Sequence, residues 1–125
     1  MTNFRFNPKE RIITCVAEII GPKQNFSLKM IIDTGATYTM IPKFASQIIG
    51  LPQDGSYIEI VTGTKVEKTL FTNIPIFKAL GFEYRNMPVL IHDLPSQINA
   101  DGLLGLNFLK KAKTIIDFSK NQIVI

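Results

Sequence analysis

The chain has 125 residues, 46% of them hydrophobic and 19% charged, with a net charge of +4. That is enough apolar material for the core of one ordinary domain, and it contains no run near the about eighteen apolar residues that a membrane helix needs. Lysines and arginines form no stripe interleaved with stacking aromatics, so a nucleic-acid partner is not expected. One cysteine, Cys15, and one histidine, His92, leave no intrachain disulfide, no cysteine-based zinc site and no Ser/His/Asp or Cys/His nucleophilic set.

The first twenty residues, "MTNFRFNPKERIITCVAEII", lack the basic, apolar, small-residue order of a signal peptide. A single cytoplasmic domain over residues 1–125 is the expectation. Arg11 to Ile20 is rich in β-formers, Gly21-Pro22 breaks it, and Phe26 to Ile32 resumes it, which predicts a hairpin. Cys15 lies in that period-2 pattern as a packed strand residue. Pro42 to Gly50 has proline at its start and glycine at its end, the signature of a short helix or turn. Tyr57 to Val61 and Thr64 to Phe71 flank Thr62-Gly63 as a second hairpin. Ile74 to Leu80 and Glu83 to Ile91 flank Gly81-Phe82 as a third, and His92 ends its second strand. From Asn107 a short helix is expected, with Asn107 as its N-cap and Lys110, Lys111 and Lys113 suiting its C-terminal dipole. "TIIDF", "SKNQ" and "IVI" make a fourth hairpin. Many short strands at close spacing, with one or two short helices, predict a mostly-β barrel or sandwich.

One stretch resists a purely structural reading. In "MIIDTGATYTMIP", Met30 to Pro42, a carboxylate follows three apolar residues and enters a turn of small residues. Aspartate is rarely buried, and burying it unpaired is costly.

"IIDTGATYTMIP", followed some seventy residues later by "DGLLGLNFLKKAKTIIDF", resembles the retropepsin-like aspartic proteases. These include retroviral proteases, the retroviral-protease-like domain of DNA-damage-inducible proteins, and small bacterial relatives. Asp-Thr-Gly alone arises by chance in roughly one chain of this size in fifty. Three features together make the resemblance specific. Apolar residues precede the triplet; Ala36 and a threonine-rich strand follow it; and Leu103, Leu104 and Gly105 open a helix near the C-terminus. The resemblance spans about Ile12 to Ile125. It implies a closed barrel-like acid-protease fold of short hairpins, one lobe per chain.

The chemistry of that family explains the residue types. Hydrolysis without a covalent intermediate needs a water made nucleophilic and a carbonyl oxygen given a proton. Two close carboxylates sharing one proton do both, because like charges held together do not both ionise. By the resemblance, Asp33 supplies the carboxylate, Thr34 hydrogen-bonds to the partner loop, and Gly35 brings a backbone N–H to the carboxylate. One Asp-Thr-Gly in one lobe implies that the second aspartate comes from another copy, hence a C2 homodimer with the site on its axis. Its contacts are expected from the Asp33 loops and the terminal segments, since "QIVI" would otherwise be an exposed sticky edge. Asp101 reads as a structural turn residue.

The resemblance also assigns a flap to Gly55–Val66, with its tip at Thr62-Gly63-Thr64. Retroviral flap tips are richer in glycine than this one. An extended polypeptide substrate would pair like an added strand, touched by Ala36, Thr62, Gly63 and Thr64 and walled by Ile32, Val61, Ile91 and Leu104. No cofactor and no metal are expected. Two rival readings remain open: a catalytically inactive dimeric peptide-binding module of the same fold, and a structural β-domain with a chance Asp-Thr-Gly.

Overall fold

The computed structural model describes residues 2–125, save the side chain of Thr62. The first hairpin pairs β2 (Thr14–Ile20) with β3 (Asn25–Ile32). Strict alternation decides its faces: Leu28, Met30 and Ile32 point into the core while Ser27 and Lys29 point out, as a period-2 strand requires. Burial of the Cys15 thiol on β2 pushes its pKa up to about 11, so it remains a protonated, weakly nucleophilic packing residue at neutral pH.

After β3 come β4 (Thr39–Ile41), α1 (Lys43–Ile48), β5 (Ser56–Thr62), β6 (Lys65–Ala79), β7 (Phe82–Ile91), β8 (Gly102–Leu104) and α2 (Leu106–Lys111). The strands run in the order β2-β3-β8-β4-β7-β6, and β6 returns to β2 through Ala17↔Ala79 to Ile20↔Ile76. This closes a six-stranded barrel that leaves no edge among its members; β5 hangs outside it on β6. The barrel is filled by Ile19, Leu28, Met30, Ile41, Ile74, Phe77, Met87, Val89 and Leu104. Phe108 of α2 plugs it, 5.4 Å from the Phe77 ring and 5.8 Å from Phe82. Mostly-β, barrel-like and carrying two short helices, the architecture is the expected one.

Four local expectations change. Both expected hairpins form, but they share a strand: instead of two strands parted after Phe71, β6 runs unbroken for 15 residues. Thr72-Asn73 carries no turn because β7 pairs with β6 continuously across it. The next turn is Leu80-Gly81, not Gly81-Phe82: both residues have positive φ (53° and 76°) and Ala79 pairs with Phe82, the pattern of a type I′ hairpin. Residues 102–104 form a strand rather than the opening of the helix, parallel to β3 through Met30↔Gly102 to Ile32↔Leu104. Three residues are too few to show a period. Finally, α2 starts at Leu106 with Gly105 in the cap position; Asn107 lies inside the helix and its side chain is used elsewhere.

The C-terminal hairpin of β9 (Ile115–Asp117) and β10 (Gln122–Val124) is as expected. The idea that "QIVI" is a bare edge is not. An unforeseen strand, β1 (Asn3–Arg5), pairs with β10 on its other side. The chain thus covers β10 itself, and the open edges of this small sheet are β1 and β9.

Candidate active site

β3 ends at Ile32, and the chain turns through Asp33-Thr34-Gly35. The Asp33 N–H donates to the Leu104 carbonyl of β8 (3.0 Å), and the Ala36 N–H donates to the Asp33 carbonyl (3.3 Å). The Gly35 N–H donates to Asp33 Oδ1 at 2.8 Å. A Cβ on Gly35 would stand 3.2 Å from that same oxygen, so glycine lets the amide approach the carboxylate without crowding it.

The loop behind Asp33 is bolted to the start of α2. The Leu106 and Asn107 N–H groups donate to the carbonyls of Ala36 (2.8 Å) and Thr37 (3.2 Å). Asn107 Oδ1 accepts from the Thr39 N–H (2.8 Å) and the Thr39 hydroxyl (2.9 Å), while its Nδ2 donates to the Pro88 carbonyl (2.7 Å). Thr39 Oγ1 in turn accepts the Gly105 N–H at 3.0 Å. The fully buried Thr39 therefore has its polar atoms partnered, as burial demands. Asn107 ties α2, β4 and β7 together around the loop. Sequence reasoning found Asn107 but gave it the wrong task, and it passed over Thr39. A lone polar residue between Tyr38 and Met40 was the available signal.

Asp101 is not drawn to Asp33. Its Oδ2 accepts the Lys29 N–H (2.8 Å) and its own N–H donates to the Lys29 carbonyl (2.8 Å), clamping the supporting strand.

An open cleft of about 490 Å³ lies over the Asp33 loop, with Asp33, Gly35, Ala36, Tyr38, Met40, Leu90 and Leu103 on one side and Ile58, Ile60 and Val61 of β5 on the other. Of the residues expected there, Asp33, Gly35, Ala36 and Val61 line it. Thr34 faces a separate hollow of about 200 Å³ with Leu106, Leu109, Lys113 and Ile116. Ile32 and Leu104 turn into the core. Ile91 lines a different cavity of about 300 Å³ with Lys43, Tyr57, Lys68 and His92. Gly63 and Thr64 are exposed at the hairpin tip, away from the cleft lining. The Thr62 backbone ends β5, and its side chain lies outside the described residues. Two of the three apolar walls that miss the cleft are off by one residue, Leu104 for Leu103 and Ile91 for Leu90. In a strand, one residue exchanges one face for the other.

The aspartyl protease family model matches residues 18–108, from β2 through the Asp33 loop to α2. The chain belongs to the aspartyl protease family. A crystal structure of a retropepsin-like aspartic protease from Rickettsia conorii is similar to it. The two share 20% identity and superpose with a TM-score of 0.72, over 97% of this chain and 86% of that one. The barrel is thus a retropepsin-like fold, one lobe per chain. No curated protein matches the chain in sequence. No helix among the described residues is long and apolar enough to cross a membrane.

Proposed function

We propose that the chain is an aspartic endopeptidase that works as a homodimer, with Asp33 of each copy at the two-fold axis. One observation carries this reading. The Asp33 carboxylate, held at the end of β3 by the Gly35 N–H, opens into an extended apolar cleft under an overhanging hairpin. A pair of such carboxylates sharing one proton suffices for peptide hydrolysis. The ionised member takes a proton from water as the oxygen attacks the carbonyl carbon. The protonated member gives its proton to the carbonyl oxygen. Collapse of the resulting diol breaks the C–N bond: the leaving nitrogen takes the proton that the first carboxylate drew from water, and a diol hydroxyl returns its proton to the other carboxylate, restoring the pair. No metal is needed.

Thr34 would face the partner. Beside its hollow runs β9, whose outer edge has no strand partner among the described residues and where Ile115 stands exposed; Phe118, just past β9, is exposed as well and lies against the Phe6 ring. These apolar groups suit a second copy better than water. The substrate would lie extended along β5. Tyr38, Met40, Ile58, Ile60, Leu90 and Leu103 would shape subsites for hydrophobic side chains, and Thr62 to Thr64 would close over it.

The test is cleavage of a mixed peptide library by the natural chain and by Asp33→Asn. Expected is cleavage beside hydrophobic residues by the former and none by the latter, with unchanged circular dichroism. Cleavage that survives in Asp33→Asn contradicts the assignment. Tight binding of peptides without cleavage by the natural chain would make it a peptide-binding module instead.

A further inference from the structure

The β5–β6 hairpin is tied to the barrel over only part of its length. β6 pairs with β7 from Leu70 onward and with β2 from Ile76 onward, whereas from Lys65 to Thr69 its only main-chain partner among the described residues is β5. Two side chains of this overhang reach back to the barrel, at alternate positions and hence on one face of the strand. The Thr69 hydroxyl donates to the Ile91 carbonyl at 2.6 Å, and Glu67 Oε2 stands 3.2 Å from His92 Nε2. Among the described residues nothing further toward the tip bonds to the barrel. Val61 and Val66 are 75% and 64% exposed.

The two ends of the Glu67–His92 contact differ in kind. His92 belongs to the barrel wall, directly after β7, with its N–H donating to the Ile41 carbonyl at 3.0 Å. Glu67 belongs to the overhang, and its cross-strand partner is Ile60, which lines the Asp33 cleft. Directly paired residues on antiparallel strands share a face. Whatever fixes Glu67 therefore fixes the depth of Ile60 above Asp33.

We propose that His92 is a positioning residue that sets the flap through Glu67. The pair divides the hairpin into a braced stem, which holds Ile58 and Ile60 over the cleft, and a free tip, Val61–Val66, which moves to admit substrate. The tip's turn has Gly63 at φ +62° with nothing within 4 Å of an added Cβ, so it turns in open space. The catalytic consequence rests on the protease reading above; the mechanical one does not.

Hydrogen exchange on the free protein is the first test. His92→Ala and, separately, Glu67→Ala should speed exchange of the Ile58–Ile60 amides about fivefold, a half-exposed pair being worth no more. Amides of Leu28 to Ile32 should not change. His92→Gln, whose amide can donate to Glu67, should restore most of the protection. With a cleavable peptide, KM should rise several-fold in the alanine variants while kcat stays within about twofold, because the brace acts on closure rather than on the carboxylates. Unchanged exchange at Ile58–Ile60 in both alanine variants overturns the proposal, as does equal deprotection in His92→Gln. An inactive protein would still give the exchange result, so failure of the brace and failure of the protease reading are told apart.

Discussion

Replacing Gly105 by alanine would drive a carbon into the main chain of the Asp33 loop. The added Cβ would lie 2.6 Å from the Tyr38 carbonyl carbon, 2.7 Å from its oxygen and 2.9 Å from the Ala36 carbonyl oxygen. Ordinary contact begins at 3.4 Å, so the overlaps are 0.5–0.8 Å (3.4 Å less 2.9 and 2.6 Å). The obstacles are backbone atoms and cannot rotate away. Relief requires lifting α2 from the loop, which stretches the Leu106 N–H to Ala36 carbonyl bond (2.8 Å) and the Gly105 N–H to Thr39 Oγ1 bond (3.0 Å). Overpacking of this kind costs about 3 kcal/mol, and one weakened hydrogen bond adds about 1 kcal/mol. With a urea slope of roughly 1.5 kcal/mol/M, the midpoint should fall by about 2.7 M at unchanged slope. Gly63→Ala is the control. Its Cβ meets nothing within 4 Å, and only the strain of positive φ remains, about 1 kcal/mol. Equal midpoints for the two variants would refute the claim that close approach, rather than backbone freedom, demands glycine at 105.

Asn107→Ala strands the Thr39 N–H and the Pro88 carbonyl, so it should cost about 3 kcal/mol and lower the melting temperature by about 10 °C, read by calorimetry. A shift under a third of that would mean water replaces the amide. Lys113 sits at φ +53° just past α2, its N–H donating to the Lys110 carbonyl and the next N–H to the Leu109 carbonyl; Gly50 does the same service for α1 at φ +82°. Lys113→Gly should therefore stabilise the protein by about 0.5–1 kcal/mol in urea titration, and a loss would contradict the strain argument. The Ser119 hydroxyl, with the Lys120 and Ser119 N–H groups, holds the Asp117 carboxyl below its usual range. A depressed folded value means that its contribution is full above the unfolded value of about 3.9 and is lost as pH falls through the folded one. The stability gap between the natural chain and Asp117→Asn should accordingly be flat at neutral pH and close on acidification below about pH 4; a gap that widens there reverses the sign.

The parts of the fold legible in the sequence are those where a local rule acts alone. Gly21-Pro22 punctuates the first hairpin, and the alternation from Leu28 to Ile32 aims Asp33 out of the end of β3. The parts that were not legible depend on partners distant in the chain. β1 and β8 exist because β10 and β3 offer them a ladder, and three residues carry no pattern of their own. β6 continues through Thr72-Asn73 because its neighbours change along its length while its pairing does not lapse. At the site, Asp33 and Gly35 stood out as a motif, whereas the cleft walls depended on strand parity, which Leu103-Leu104 and Leu90-Ile91 do not reveal because both members are apolar. Asn107 was visible as a helix-start residue. Only the approach of Thr39 and Pro88 turns it into the clasp of the Asp33 loop.

The central claim is that one active site uses Asp33 from two chains, and subunit mixing tests it most directly. The natural chain is held at fixed concentration, an equal amount of Asp33→Asn chain is added, and the two are allowed to exchange before peptide cleavage is measured. Random pairing places half of the natural chains in mixed dimers with a single carboxylate, so activity should fall to about half, and lower still as more variant is added. Activity that stays constant however much Asp33→Asn is present would mean that each chain works alone, and the shared-carboxylate account would be wrong.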